Sequence, residues 1–252
     1  MKRALIGHTG FVGGTLLAAE TFTHGFDSSD LQELRGTRFD EVVCAGIPPV
    51  QQQSEPDGAA IAALLAVLET VRADRFVLIS STGVYPDPSQ PLDESAVPDA
   101  AGHDAKGRQS LELEQFVMAR FADYAVVRLP ALFGDGQQRN ALYDLLRDSG
   151  VERLNPAARM QWYPTRRLSG DLVRIGAAGL RVVNLVTEPL RLGDIASRLF
   201  ANARLGPEIE PAPGSDLRTR HAALFGGESP YIMGRTQVLL AMTDFVRRLR
   251  RR

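Results

Sequence analysis

The sequence predicts an α/β chain built on a doubly wound parallel sheet. Three observations carry this: short apolar, β-rich runs alternate with helical patterns, the first run passes straight into a glycine-spaced turn, and 252 residues can bury one substantial core. Strands separated by helices need crossover connections. Those connections make the strands parallel and cover both faces of the sheet.

The elements follow in order. Residues 4–6 read as a buried strand, and Gly7-His8-Thr9-Gly10-Phe11-Val12-Gly13 reads as a turn into a helix whose apolar spacing is clearest at 16–20. Strand-like runs recur at 21–26, 41–45, 76–80, 124–128 and 182–186. Helical spacing appears at 59–73, 111–121, 142–148, 172–178, 195–200 and 238–249. After Gly134 the regularity weakens, and two sections rich in Pro, Gly and Arg read as additions over the ligand edge of the sheet. The expected layout is therefore a dinucleotide-binding domain at 1–134 completed by 171–200. A substrate lobe would come from 135–170 and 201–235, and 236–252 would form a C-terminal helix.

The glycine spacing has a chemical reason. A dinucleotide pyrophosphate binds where a helix N-terminus aims free backbone N–H groups and a partial positive charge at it, and side chains would block the approach. Gly7 would turn the chain off the strand, Gly10 would let the backbone near the phosphates, and Gly13 would let the helix pack closely. Thr9, Phe11 and Val12 complete the turn. Asp27 ends the next strand-like run, about twenty residues past the first glycine, where an acid would hold a ribose hydroxyl of NAD. Ser28 and Ser29 could instead donate to a 2′-phosphate, so NADP stays open, and Asp-Ser-Ser also suits a helix N-cap.

Composition excludes other classes. A net charge of −1 gives no sign of a nucleic-acid or membrane partner, and the basic end made by Arg247, Arg248, Arg250, Arg251 and Arg252 suits a helix C-terminus. The apolar run at 59–68 is too short to span a bilayer. Cys44 stands alone, which rules out an intrachain disulfide, and its apolar neighbours suit a buried thiol. Met1-Lys2-Arg3 leads into too few apolar residues for a secretory signal, so a reducing cytoplasm is the expected address. His8, His24, His103 and His221 are scattered and offer no metal-ligand spacing. Neither a Gly-x-Ser-x-Gly elbow nor a Walker-type loop occurs.

Four motifs in order resemble the extended or atypical short-chain dehydrogenase/reductases, the family that includes nucleotide-sugar epimerases and dehydratases. They are Gly7-x-x-Gly10-Phe11-Val12-Gly13, Val42-Val43-Cys44-Ala45-Gly46, Val77-Leu78-Ile79-Ser80-Ser81-Thr82-Gly83-Val84-Tyr85, and Val127-Arg128-Leu129-Pro130-Ala131-Leu132-Phe133-Gly134. The resemblance spans nearly the whole chain and implies a Rossmann-like fold with NAD or NADP as cofactor. It implies that Ala45 and Gly46 line the adenine side, Ser80 and Ser81 the nicotinamide side, and Leu129, Pro130 and Leu132 the wall behind the ring. Ser81 matches the catalytic serine or threonine that hydrogen-bonds the reacting substrate oxygen.

One departure bears on catalysis. The family's Tyr-x-x-x-Lys pair is missing, and aligning Glu114-Gln115 with the acidic end of that helix puts Lys106 in the tyrosine position and Ser110 in the lysine position. A phenol titrating at about 10 needs a nearby cation to work at neutral pH, and an ammonium becomes a base only when desolvated. Lys106 could be such a base, could bind cofactor, or could sit exposed at a helix start; Tyr85 is the nearest phenol to Ser81 in sequence. For a small-molecule substrate, Arg139, Asn140, Trp162 and His221 lie in polar clusters of the expected lobe, where arginine forks suit a carboxylate or phosphate. The expected activity is that of an NAD(P)-binding oxidoreductase or epimerase acting on the hydroxyl or carbonyl of a small molecule such as a sugar. Loss of the tyrosine-lysine pair motivates an alternative, a catalytically silent cofactor-binding sensor or scaffold. The apolar stripe at 111–121 suits either a homodimer interface or packing on the sheet.

Overall fold

In the computed structural model, residues 1–46, 58–98, 103–137 and 140–251 are described. They form two compact units.

Unit 1 comprises Met1–Pro86, Val97–Arg128 and Ser169–Val183. Its frame is a six-stranded parallel sheet in the order β2-β1-β3-β4-β5-β9. The strands are β1 (Arg3–Ile6), β2 (His24–Phe26), β3 (Arg38–Cys44), β4 (Arg72–Ser81), β5 (Tyr124–Leu129) and β9 (Val182–Asn184). The order reverses at β1, so the carboxyl ends of β1, β2 and β3 meet at a switch point of the kind that binds ligands in open α/β sheets. Register is pinned by burial. Ala4, Ile6, Val42, Cys44, Phe76, Leu78 and Val126 share one core cluster, while Leu5, Val43, Val77 and Val127, alternating with them, are buried on the other face.

Helix α2 (Ala59–Leu68) covers the first face with Ile61, Leu64, Val67 and Leu68, and α3 (Ala105–Arg120) does so with Leu113 and Val117. Phe121, just past α3, stacks on Phe76 at 4.3 Å. Helices α1 (Phe11–Ala19) and α5 (Leu168–Ala177) are the remaining helices of this region.

Three sequence expectations are corrected here. The helix expected over 59–73 ends at Leu68, because Arg72 and Ala73 pair with Arg38 and Phe39 on β3 and open β4 instead. Thr70 closes that helix, its hydroxyl donating to the Val67 carbonyl at 2.8 Å. The strand expected over 21–26 shortens to β2, because the Arg3 side chain takes the Thr21 carbonyl and Glu20. Strand 182–186 similarly ends at Asn184.

Unit 2 comprises Asp87–Ala96, Leu129–Leu168 and Asn184–Arg252. It holds a parallel pair, β6 (Ala131–Phe133) with β8 (Trp162–Pro164), and an antiparallel pair, β7 (Arg159–Met160) with β10 (Leu190–Arg191). Around these lie α4 (Ala141–Arg147), α6 (Leu192–Leu199) and α7 (Arg235–Leu249). The division differs from the expected layout. Residues 184–200 and α7 belong with the second unit, where Phe245 packs against Phe133 with ring centroids 5.9 Å apart. Residues 87–96 join it too, because Glu94 is built into it. Glu94 Oε1 accepts the Asn184 amide (2.8 Å) and the Thr219 hydroxyl (2.6 Å), and Oε2 accepts the Arg220 amide (3.0 Å). No helix among the described residues is long and apolar enough to cross a membrane.

Candidate functional site

The glycine turn at the end of β1 has the geometry that its spacing anticipates. Gly7 adopts φ +81°, a conformation that L side chains rarely reach, and its N–H donates to the Phe26 carbonyl at 2.7 Å. The Gly10 N–H donates to the Gly7 carbonyl at 3.0 Å, and Gly10 caps α1 in an extended conformation without a side-chain hydrogen bond. A Cβ on Gly13 would lie 2.0 Å from the Gly7 carbonyl oxygen and 2.8 Å from His8 Cα. Only glycine lets the helix seat there. Thr9 and Gly10 are exposed, Phe11 and Val12 half-buried. The N–H groups of a helical first turn have no acceptor within the helix, and no side chain caps this one.

Asp27 follows β2 at the same sheet edge. Its Oδ1 accepts both the Ser29 amide (2.8 Å) and the Ser29 hydroxyl (2.7 Å). Those Ser29 bonds, hydroxyl first, hold the carboxyl below its ordinary value, with smaller help from the His8 charge and Thr9. Ser28 is exposed. The cap of the following 3₁₀ turn is Asp30, not Asp27. At the end of β3, Ala45 lies beside the turn, its carbonyl 3.7 Å from where a Gly7 Cβ would be, and Gly46 has φ +124°. Cys44 is fully buried, which pushes its thiol up to about 12.

At the end of β4 the half-buried Ser81 opens a 3₁₀ turn over Thr82–Val84, and its Oγ accepts the Gly83 amide at 3.1 Å. Accepting that bond leaves the hydroxyl proton available. The first turn of α3 packs onto this turn. A Cβ on Gly107 would lie 2.6 Å from the Gly83 carbonyl oxygen, and the Gly107 amide donates to the capping Asp104 Oδ1 at 2.7 Å. Lys106, next to Gly107, is exposed and forms no ion pair among the described residues. One turn further on, Ser110 is buried. The glycine at 107 thus brings the helix start that carries Lys106 against the turn that carries Ser81.

Sequence reasoning missed a buried ion pair in this unit. Glu114, fully buried, and Arg128, 3% exposed, form a bidentate pair with Arg128 Nη2 2.6 Å from Oε2 and Nε 3.0 Å from Oε1. Burial works against the Arg128 charge, and the hydrogen bonds and charge of Glu114 more than offset it. Ser80 Oγ donates to Glu114 Oε1 at 2.5 Å, and Arg128 Nη1 donates to the Tyr85 hydroxyl at 2.8 Å. Tyr85, considered from sequence as a proton-transfer group, is 2% exposed with its hydroxyl held by Arg128. A signal was present: Glu114 falls on the same helical stripe as Ser110, Leu113 and Val117.

The remaining expected residues lie in or next to unit 2. Leu129 ends β5, Pro130 follows it, and Leu132 is half-buried in β6. The Asn140 side chain is structural: it donates to the Leu132 carbonyl (2.9 Å) and caps α4 by accepting the Tyr143 amide (3.0 Å). Trp162 is fully buried, and its indole N–H has no partner among the described residues. His221 is half-buried at the start of a 3₁₀ turn, with Asp93 near it. Arg139 lies outside the described residues. Arg218 faces Asp216 at 3.4 Å, and Asp216 also accepts a short hydrogen bond from Tyr231. Burial, then Asp216, pushes the Tyr231 phenol up to about 12.

Neither a protein-family model nor a curated protein sequence matches the chain. Solved structures do. A dTDP-4-dehydrorhamnose reductase from Clostridium acetobutylicum superposes with a TM-score of 0.73 at 18% identity, over 99% of this chain and 100% of that one. A UDP-glucuronic acid 4-epimerase from Bacillus cereus, in complex with UDP-glucuronic acid and NAD, does so with a TM-score of 0.68 at 16% identity, over 99% and 100%. A UDP-galactose 4-epimerase gives 0.67 at 15% identity, over 100% and 99%. At such identities the likeness is one of fold: a Rossmann-like α/β sheet shared from end to end.

Proposed function

We propose that this chain binds NAD or NADP on the glycine turn and acts as an oxidoreductase or epimerase on a hydroxyl or carbonyl of a small, sugar-like molecule. The observation that carries the reading is the cradle itself. The space a Gly13 Cβ would fill is taken by the Gly7 carbonyl, 2.0 Å away, and the α1 N-terminus it admits is uncapped by any side chain. Such an end fits a pyrophosphate. The fold shared with two sugar-nucleotide epimerases and a sugar-nucleotide reductase supports the same class of chemistry.

In this reading Gly7, Thr9, Gly10, Phe11, Val12 and Gly13 hold the pyrophosphate, Asp27 and Ser28 face the adenosine ribose, and Ala45 and Gly46 line the adenine. An Asp27 held ionised by Ser29 repels a 2′-phosphate, which favours NAD over NADP. Ser80 lies at the nicotinamide side. A nicotinamide, when bound, supplies hydride transfer. Ser81 gives its free proton to the substrate oxygen as a hydrogen bond, because its own lone pair already receives the Gly83 amide. Lys106, on the helix start packed against the same turn, is the group this reading assigns to move the proton; its ammonium is exposed here, so the assignment requires bound cofactor and substrate to cover it.

A second reading has its own observation. The lysine position of the family's pair is filled by the buried Ser110, so no cation stands there to grip a ribose. This favours a silent protein that reports its cofactor state.

Calorimetric titration of the nucleotide-stripped protein with NAD, NADH, NADP and NADPH tests the first reading at its base. Micromolar binding of one redox pair is expected, and no binding to any of the four overturns it. Stereospecific loss of deuterium from labelled NADH or NADPH in the presence of carbonyl compounds then separates enzyme from sensor. The enzyme reading expects that loss to vanish in Ser81→Ala and Lys106→Ala.

A further inference from the structure

The Glu114–Arg128 pair has no part in the cofactor reading, yet it joins α3 to β5 and reaches Ser80 near the end of β4. Burying two charges is costly, and an apolar pair of similar volume commonly holds a fold as well. Stability alone therefore does not account for it.

Its distinctive property is what it grips. Glu114 takes the hydroxyl of Ser80 at 2.5 Å, and Arg128 takes the hydroxyl of Tyr85 at 2.8 Å. Between those anchors lie only Ser81, Thr82, Gly83 and Val84, the turn whose Gly83 amide donates to Ser81 Oγ. Ser81 and Thr82 are half-buried and Gly83 is exposed, so apart from the α3 contact at Gly107 little packing holds the turn. The Arg128 guanidinium also lies over the Tyr85 ring, 5.1 Å from its centroid, which fixes the ring as well as the hydroxyl. Apart from each other, Glu114 and Arg128 bond Ser80 and Tyr85, one at each end of this turn.

We propose that Glu114 and Arg128 are positioning residues: as one buried ion pair they clamp both ends of the Ser81 turn and so set the direction of the Ser81 hydroxyl. Its catalytic meaning rests on the reading that Ser81 meets the substrate. The clamp itself is a property of the fold, and it can be measured without a ligand.

The test is amide hydrogen exchange in the full-length Glu114→Leu/Arg128→Met double variant, whose side chains approximate the volume of the pair without its charges. Exchange of the Gly83 and Tyr85 amides is expected to accelerate at least tenfold, while amides of β1 and β3 keep wild-type rates. Unchanged rates at Gly83 and Tyr85, or equal acceleration throughout the sheet, would overturn the proposal, since the pair would then be filler or general support. Should the double variant not fold, Ser80→Ala and Tyr85→Phe each release one anchor and leave the charges balanced. The same local acceleration is expected of them, and its absence in both counts equally against the clamp. A wild-type protein that binds no nicotinamide nucleotide would remove the proposed function and leave the exchange result to judge the clamp by itself.

Discussion

Replacing Gly13 by alanine is the sharpest probe of the cradle, because the structure gives the size of the clash. The added methyl would lie 2.0 Å from the Gly7 carbonyl oxygen, 2.7 Å from Gly7 carbon and 2.8 Å from His8 Cα, all of them backbone atoms. To restore even a tight 3.0 Å contact the helix start must move at least 1.0 Å (3.0 minus 2.0) from the turn. Overpacking of this kind costs about 1–3 kcal/mol, and alanine's better helix propensity returns only about 1 kcal/mol. Gly14 is the internal control. It is exposed, and its added methyl would meet nothing closer than the His8 carbonyl at 3.8 Å. Gly14→Ala should therefore stabilise by about 0.5–1 kcal/mol. Urea denaturation of the two variants beside the wild type reads the difference, and calorimetry reads cofactor affinity, which should fall at least tenfold, about 1.4 kcal/mol, for Gly13→Ala only. Equal stability and equal affinity for the two variants would refute the argument that position 13 needs glycine to seat the helix on the turn.

Three further outcomes follow from particular contacts. Glu114→Ala leaves the Arg128 guanidinium buried without its carboxylate and should cost about 3–5 kcal/mol in urea denaturation, against near neutrality for the exposed Glu112→Ala. Asp27, held by Ser29 below the ordinary 3.8, binds its proton less readily folded than unfolded. Its contribution is present above that ordinary value and lost as pH falls through the lower folded one, and carboxyl NMR should show the folded midpoint rise toward 3.8 in Ser29→Ala. Cys44, fully buried with its thiol pushed up to about 12, should resist a thiol reagent at pH 8 in the native protein and react at once in urea.

The sheet was legible because each of its strands carries its own evidence. Val42-Val43-Cys44 and Phe76 to Ile79 are apolar runs whose burial on both faces needs no distant partner to be read. The glycine turn was legible for the same reason, since Gly7 and Gly13 meet across six residues. What escaped depends on pairings far apart in sequence. Ala131 to Phe133 become a strand only against Trp162 to Pro164, and Arg72 leaves the helical pattern only because β3 offers it a partner. Glu114 falls on the buried stripe of its helix, but its pairing with Arg128 shows only when a helix and a strand bring the two together. Asn140 and Trp162 stood out as recognition side chains, yet one caps a helix and the other fills a core.

Glu94 has a consequence for the order in which the chain is made. Its carboxylate waits for an amide 90 residues later, a hydroxyl 125 residues later and a second amide 126 residues later. At about 5–20 residues per second, synthesis leaves that side chain with only water for roughly 5–25 s. Strands β1 to β4 can already align in that interval, whereas the 87–96 segment cannot find its place until Asn184 and then Thr219 have left the ribosome. Unit 2 is therefore assembled late and from distant pieces, and residues 87–96 take their place in it only when those pieces have emerged.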